Sequence, residues 1–365
     1  MGKINPALWP VQGKADWVIA PLRTGARLRV GLDVGGTKIA AVILDEDAKI
    51  LARVRRSTKH GVPGLLQSVI SAIEELLEQV GASASNLAAI GMGIPGLVDR
   101  DKGVVQHAVN LGIGDESLDM RAALRDRFPT AAVSVDNDLN VGALGAAALL
   151  DLGDVDLAYL AIGTGLAAGF VLQGEPRAGA NGAAGEIGHI PVDPFGEKCA
   201  CGQRGCLETI VSGTAIGRRW ATTNSRPAPA ALFAEAERGN KDAIRVRDEF
   251  AAGVAAAIRL VALSVDVDVI ILGGGVSEVG ELLLAVTQKA LRAQARGSQL
   301  LESLRLEDRV RLLPSGSAAA AIGAALLGRG LSDSVPTLAD VQKLPRLNQS
   351  SAATAPHGDA ATINS

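Results

Sequence analysis

The sequence predicts an α/β protein made of two similar halves that face each other across a cleft. Three observations carry that expectation. Apolar runs of strand length alternate with longer stretches of helical period, as in folds whose sheets are covered by helices. A unit of strand, glycine turn, strand, turn and strand occurs twice, at residues 28–57 and again at 157–176. Finally, 365 residues that are 48% hydrophobic, with a mean hydropathy of +0.24, can bury sizeable cores in about two domains.

In order along the chain, residues 28–33 form a strand that runs into Val34-Gly35-Gly36-Thr37-Lys38. Residues 39–44 are an apolar strand, Asp45-Glu46-Asp47 turns the chain, and 49–57 resume a strand. Helical period then covers 64–80, a strand 88–94, a helix 120–128 and a short strand 132–135. An Ala- and Gly-rich helix starts near Val141. The second unit reads as strand 157–162, turn Gly163-Thr164-Gly165, strand 167–172 and turn Gln173-Gly174-Glu175-Pro176. Residues 241–265 are a long Ala-rich helix, 267–272 a buried strand by its β-branched content, and 278–295 a helix. Residues 1–27 have no strong period and are an N-terminal extension. The last stretch, 345–365, is rich in Ser, Ala, Thr and Asn and reads as a disordered tail.

Composition excludes several function classes. A net charge of −3 with both signs interspersed leaves no electrostatic footprint for nucleic acid, and 2% aromatic residues provide few surfaces for stacking bases. No apolar run reaches membrane-spanning length, and residues 1–23 lack the basic start and apolar stretch of a secretory signal. The expectation is a cytoplasmic protein whose thiols stay reduced.

All three cysteines, Cys199, Cys201 and Cys206, fall within eight positions, ten residues beyond His189. Three thiolates and one imidazole are the donor set of a closed tetrahedral zinc site, which leaves no open position and is therefore structural. Gly196, Gly202 and Gly205 suit a tight loop round an ion. The same loop carries Glu186 and Glu208, so a metal that folds it would also fix two carboxylates. His189 could bind the metal through one ring nitrogen and a ligand through the other.

Three glycine turns follow apolar strands: Asp33 with Gly35, Gly36, Thr37 and Lys38; Gly163, Thr164 and Gly165; and Gly273, Gly274 and Gly275. Each alone fits a plain tight turn. Together they suit a nucleotide bridging two domains, because exposed amides can approach phosphate where no Cβ intervenes. They match neither a Walker run nor a dinucleotide fingerprint. Asp33 is placed to hold a metal ion through water beside the phosphates.

Ser134-Val135-Asp136-Asn137-Asp138-Leu139-Asn140 ends a short strand just before a helix. Phosphoryl transfer to a hydroxyl needs a carboxylate to accept the proton, and Asp138 is the candidate base. Helix capping suits such a cluster equally well.

These segments resemble the ROK family of bacterial sugar kinases and sugar-responsive repressors. The resemblance runs from about Leu28 to Gly328. It rests on the Asp-Gly-Gly-Thr turn, Gly93-Ile94-Pro95-Gly96-Leu97-Val98-Asp99, the Asp136–Asn140 cluster and the long signature 185–208. It implies an actin-like, ribonuclease-H-like fold of two α/β domains closing over ATP and a hexose. The domains expected are 28–135, completed by a helix at 318–328, and 136–317, which holds the zinc loop 185–208. It implies sugar contacts from Asn110, Asn137, Asp138, Glu186, His189 and Glu208, with backbone from Gly96. Asp138 would be the general base, and the three glycine turns would hold Mg²⁺-ATP. A homodimer is also implied.

Two positions depart from the family pattern. Many members continue Gly-Thr-Gly with one residue and then two glycines, where this chain has Leu166, Ala167 and Ala168, whose extra methyls could crowd phosphate. Leu139 replaces a small residue inside the aspartate-asparagine cluster. The rival reading is a sugar sensor derived from the repressors, but 27 residues before the first strand are too few for a winged helix-turn-helix. Asp138 also has no chemical use in a pure sensor. Glucose leads the substrates expected, with mannose, fructose, N-acetylglucosamine and N-acetylmannosamine behind it, and polyphosphate is an alternative donor to ATP.

Overall fold

A computed structural model describes residues 25–327, apart from 115 and 223–225. Most of the N-terminal extension, the end of the 318–328 helix and the 345–365 tail lie outside the described residues.

The first half opens with β1 (Leu28–Val34), β2 (Lys38–Leu44) and β3 (Ile50–Ser57), followed by α1 (Val62–Gln79) and β4 (Leu87–Ile94). Three short strands come next, β5 (Leu97–Asp99), β6 (Val104–Gln106) and β7 (Leu118–Asp119), then α2 (Met120–Arg125), β8 (Ala132–Asn137) and α3 (Asp138–Leu149). The main sheet has the order β3-β2-β1-β4-β8, with β5-β6-β7 as a small separate sheet. β1 runs antiparallel to β2 and parallel to β4, and β4 runs parallel to β8. Helix α1 starts with Pro63 in its first turn and buries Leu65, Val69, Ile73 and Leu76 against this sheet, one residue per turn on a single stripe.

The second half repeats the plan. β9 (Leu157–Ile162), β10 (Leu166–Leu172) and β11 (Glu175–Pro176) are followed by α4 (Gly213–Arg219), α5 (Ala228–Glu237), α6 (Lys241–Val265) and β12 (Val269–Gly273). Then come α7 (Glu281–Ala295), α8 (Gln299–Leu304), α9 (Leu306–Arg309), β13 (Val310–Leu312) and α10 (Ala319–Ala325). The sheet order is β11-β10-β9-β12-β13, with the first three antiparallel and the last three parallel. Strand for strand this matches the first sheet, so the repeat in the sequence is a repeat of architecture.

A central apolar cluster joins the halves. Val42 and Leu44 of the first sheet and Leu157, Val171 and Ile271 of the second meet α3 and α10. The last helix therefore returns to the first half, and it packs there almost backbone to backbone. A Cβ on Gly31 or Gly91 would overlap the Ala321 or Ala324 carbonyl of α10, and one on Gly145 the Ala319 carbonyl. Only glycine permits that approach.

Several element edges differ from the sequence expectation. α3 begins at Asp138, not near Val141, because the Asn137 side chain accepts the Leu139 amide and caps the helix three residues earlier. α6 ends as expected but β12 starts at Val269, since Asp266 adopts φ 55 and the chain must still turn. α7 starts at Glu281 because a 3₁₀ turn, Gly275–Val279, and Gly280 at φ 78 precede it. α2 stops at Arg125 rather than 128.

Candidate active site

The parallel strands of the first sheet end in one row. Asp33 pairs with Gly93, and Gly93 pairs with Asp136. Ligand sites in open α/β sheets lie beyond such carboxyl ends. Gly93 has no side chain because a Cβ there would overlap Val141 of α3, so the glycine lets the helix start directly above the row. Asn137 caps that helix, and its Nδ2 donates to Gly96 O at 3.3 Å. The cap is thus made by Asn137, which leaves the Asp138 carboxylate, in the first turn, free of that duty.

Burial raises the Asp138 carboxyl above its ordinary value, against smaller opposing hydrogen bonds from the Leu139 amide and its own. The Asp33 carboxyl is pushed up to about 6, chiefly by burial and then by the charge of Asp138, with Lys38 opposing. A half-buried acid whose charge is disfavoured by burial and by a neighbouring carboxylate is a site that a cation would relieve, so Asp33 fits the Mg²⁺ role expected of it.

Asp136, 1% exposed, ends the same row opposite Gly93. Its Oδ1 accepts from the Asn137 amide at 2.7 Å and from Asn140 Nδ2 at 2.8 Å. Its Oδ2 receives no hydrogen bond and stands 3.0 Å from Arg100 Nε in an ion pair. Burial nonetheless raises its carboxyl, with Asn140 and Arg100 opposing.

Two of the three glycine turns adjoin. In the first, Gly35 N donates to Lys38 O at 2.9 Å, Thr37 and Lys38 are exposed, and a Cβ on Gly36 would crowd Asn110 O at 2.7 Å. Asn110 therefore stands against this turn. In the second, Gly163 N donates to Gly165 O at 2.9 Å and Thr164 is exposed. In the third, Gly274 has φ 82, and a Cβ on it would crowd the backbone of Ile162, so Gly273–Gly275 abuts Gly163–Gly165. Of the two methyls in question, that of Ala168 is buried in the second-half core, away from the turn, while Ala167 is half-buried.

The cysteine loop packs on β10, with Ala168 N donating to Gly185 O at 2.8 Å. The ligand atoms of His189, Cys199, Cys201 and Cys206 lie within 4.8 Å of one another. Cys199 Sγ is 3.7 Å from His189 Nδ1, and Cys201 Sγ is 3.6 Å from Cys206 Sγ. Tetrahedral zinc with Zn–S near 2.3 Å requires sulfurs about 3.8 Å apart, so the donor set fits. Hydrogen bonds from Gln203, backbone first, lower the Cys201 thiol to about 6. With Nδ1 toward the sulfurs, His189 turns Nε2 to Glu186 at 3.9 Å. The loop thus brings His189 and Glu186 together, and the Glu186 charge is felt at Asp138. Glu208 goes elsewhere than a sugar contact alone would suggest. Its Oε2 accepts the Leu166 amide at 2.9 Å and fills the space beside Gly165.

Two residues at the site escaped the sequence reading. Tyr159, the one tyrosine of the chain, points from β9 between the halves; its ring fills the room left by Gly142 and Gly273. Its hydroxyl accepts the Gly274 amide and is pushed up to about 12 by burial and by the charges of Asp33 and Asp138. A single tyrosine inside an apolar strand was the available signal. Arg100 gave none, since it sits among ordinary surface charges, Asp99, Asp101 and Lys102.

Residues 29–330 match the model of the ROK family. A glucokinase of Halalkalibacterium halodurans is 34% identical over 289 residues, 74% of this chain and 86% of that protein. The N-acetylgalactosamine kinase AgaK of Shewanella sp. is 33% identical over 315 residues, 82% of this chain and 96% of that protein. A ROK family glucokinase from Streptomyces griseus, solved in complex with glucose and AMPPNP, superposes with a TM-score of 0.66 at 30% identity, covering 82% of this chain and 98% of its own. With the duplicated sheets and this match over most of its length, the chain belongs to the ROK family.

Proposed function

We propose that the protein is an ATP-dependent sugar kinase that phosphorylates the terminal hydroxyl of a hexose. Glucose is the first candidate, followed by N-acetylated hexosamines, mannose and fructose. The named activities of the relatives, glucokinase and N-acetylgalactosamine kinase, support the class. The observation that carries the reading is Asp138: a carboxylate in the first turn of α3, relieved of capping by Asn137 and made more basic by burial.

Residues 28–135 with α10 would move as one domain and 136–317 as the other, closing over the substrates and excluding water as a competing acceptor. The packing of α10 on β1 and β4 supports its place with the first domain, and its equally close packing on α3 makes α3 the seam between the two. Asn110, Asn137, Glu186, His189 and Glu208 would orient the sugar, with Gly96 backbone beside it. Asp138 would take the hydroxyl proton onto its carboxylate as the phosphoryl group moves. Amides of the three glycine turns, Thr37 and Lys38 would cradle the phosphates. Mg²⁺, held through Asp33, would neutralise the transferring phosphoryl group. Zinc on His189, Cys199, Cys201 and Cys206 would hold the sugar loop in shape, and a reducing cytoplasm keeps those thiols available.

The test is ADP release with Mg²⁺-ATP over a panel of hexoses and hexosamines, beside Asp138→Asn. Turnover on one sugar that disappears in the variant supports a kinase and names its substrate. Sugar binding without turnover on any of them supports a sensor.

A further inference from the structure

Arg100 makes contacts that the phosphoryl-transfer scheme does not use. Its backbone is fixed to the first half: Arg121 Nη2 donates to Arg100 O at 2.9 Å, and Arg121 Nε to Val133 O of β8 at 3.0 Å. The side chain then spans two partners. Nε stands 3.0 Å from Asp136 Oδ2, an oxygen with no other partner. Nη1 donates at 3.3 Å to Pro176 O, on the edge strand β11 of the second sheet. A planar guanidinium can hold both at once because its donors diverge in a rigid fork, which an ammonium cannot imitate. Asp136 in turn holds the Asn137 amide and Asn140, on either side of Asp138. One side chain thus touches both halves and the strand end that presents the candidate base.

We propose that Arg100 is a positioning residue that ties the orientation of the Asp136–Asp138 strand end to the separation of the two halves. It does not reach substrate. When the halves stand as they do here, the guanidinium is stretched between Pro176 O and Asp136 Oδ2 and fixes the strand end. If the halves part, it loses Pro176 and the strand end is held from one side only. The inference rests on the kinase reading for its effect on rate, and on geometry alone for its effect on order.

The experiment separates these. Removing Arg100 alone would strand the buried Asp136 charge and could unfold the site for that reason, while an amide at 136 strands no charge but turns its Nδ2 toward Arg100 Nε and cuts the tie by itself, so the two changes are compared singly and together. Arg100→Ala, Arg100→Lys, Asp136→Asn and the double variant Arg100→Ala/Asp136→Asn are measured for kcat and sugar KM. Amide exchange of segments 134–141 and 171–177 is followed in the same proteins without ligand. Arg100→Ala and Asp136→Asn should each lose about tenfold in kcat/KM, since small misplacements of a reacting group cost one to two orders of magnitude, and the double variant should lose little more than Asp136→Asn alone. Both segments should exchange faster. Arg100→Lys, which keeps charge without the fork, should behave like Arg100→Ala. Losses that simply add in the double variant would overturn the proposal, as would unchanged exchange in Arg100→Ala and Asp136→Asn, or full rescue by lysine. A wild-type protein without turnover would remove the kinase reading, while unchanged exchange would still decide against the tie.

Discussion

The Asp138 carboxylate acts on the proton of Asp33: after burial, its charge is the largest cause holding the Asp33 carboxyl near 6. They come from β1 and from the first turn of α3, and only the β1-β4-β8 ladder brings them together. Their roles differ by surroundings. Asp33 precedes the turn that carries Lys38, and Asp138 faces the loop of Glu186 and His189.

Asp138→Asn should therefore lower kcat by about 10²–10⁴, the span of general-base catalysis, while sugar affinity measured by calorimetry changes less than tenfold. The amide is isosteric and Asn137 still caps the helix, so folding should be intact. Turnover within a factor of five of wild type would remove Asp138 from its role.

Asp33 gives a pH-dependent prediction. Its folded value is about 6 against an ordinary 3.8. Below pH 4 both states hold the proton and the group is neutral for stability. Between about 4 and 6 the folded protein holds it and the unfolded chain does not, so stability falls as pH rises, and above 6 the penalty is complete. The full shift corresponds to about 3 kcal/mol, which solvent reaching the half-buried carboxyl reduces to about 1–2 kcal/mol. Asp33→Asn should then raise Tm at pH 7.5 and leave it unchanged at pH 4, while lowering turnover. A lower Tm at both pH values would contradict this assignment.

The metal loop can be tested without assaying activity. Cys201 is exposed, so Cys201→Ser costs no core packing. Bound zinc, measured by elemental analysis, should fall from about one per chain to near zero. Affinity for sugar should fall with it, because His189 and Glu186 lose their fixed geometry. Affinity for nucleotide should fall too, because Glu208, two residues from Cys206, braces the Leu166 amide beside Gly165. Undiminished zinc would disprove the ligand set.

The sequence was most legible where local chemistry is dense. The repeat of strand, glycine turn and strand is visible because β9 and β10 need the same apolar alternation and the same tight turn as β1 and β2. The cysteine loop is visible because spacing alone brings its thiols together. Pairings between distant segments left no such trace. Arg100 finds Asp136 and Pro176 only through the fold, and Glu208 reaches the second glycine turn across a gap that no motif spacing encodes. Short elements such as β5, β13 and α9 carry too few residues to show a period.

Two glycines should respond oppositely to alanine, and together they test the close packing of α10. Gly91 lies in β4 directly under the Ala324 carbonyl, where a Cβ has no room and the obstacle is backbone. Gly91→Ala should cost about 3 kcal/mol, since helix and sheet must separate to admit it. Gly217 lies in α4 with nothing near its missing Cβ and no positive φ. Gly217→Ala should gain about 0.5–1 kcal/mol from a less flexible unfolded chain and better helix propensity. Thermal denaturation of both variants reads the two signs in one experiment. A Gly91→Ala protein as stable as wild type would mean that α10 does not rest on β4 as closely as described.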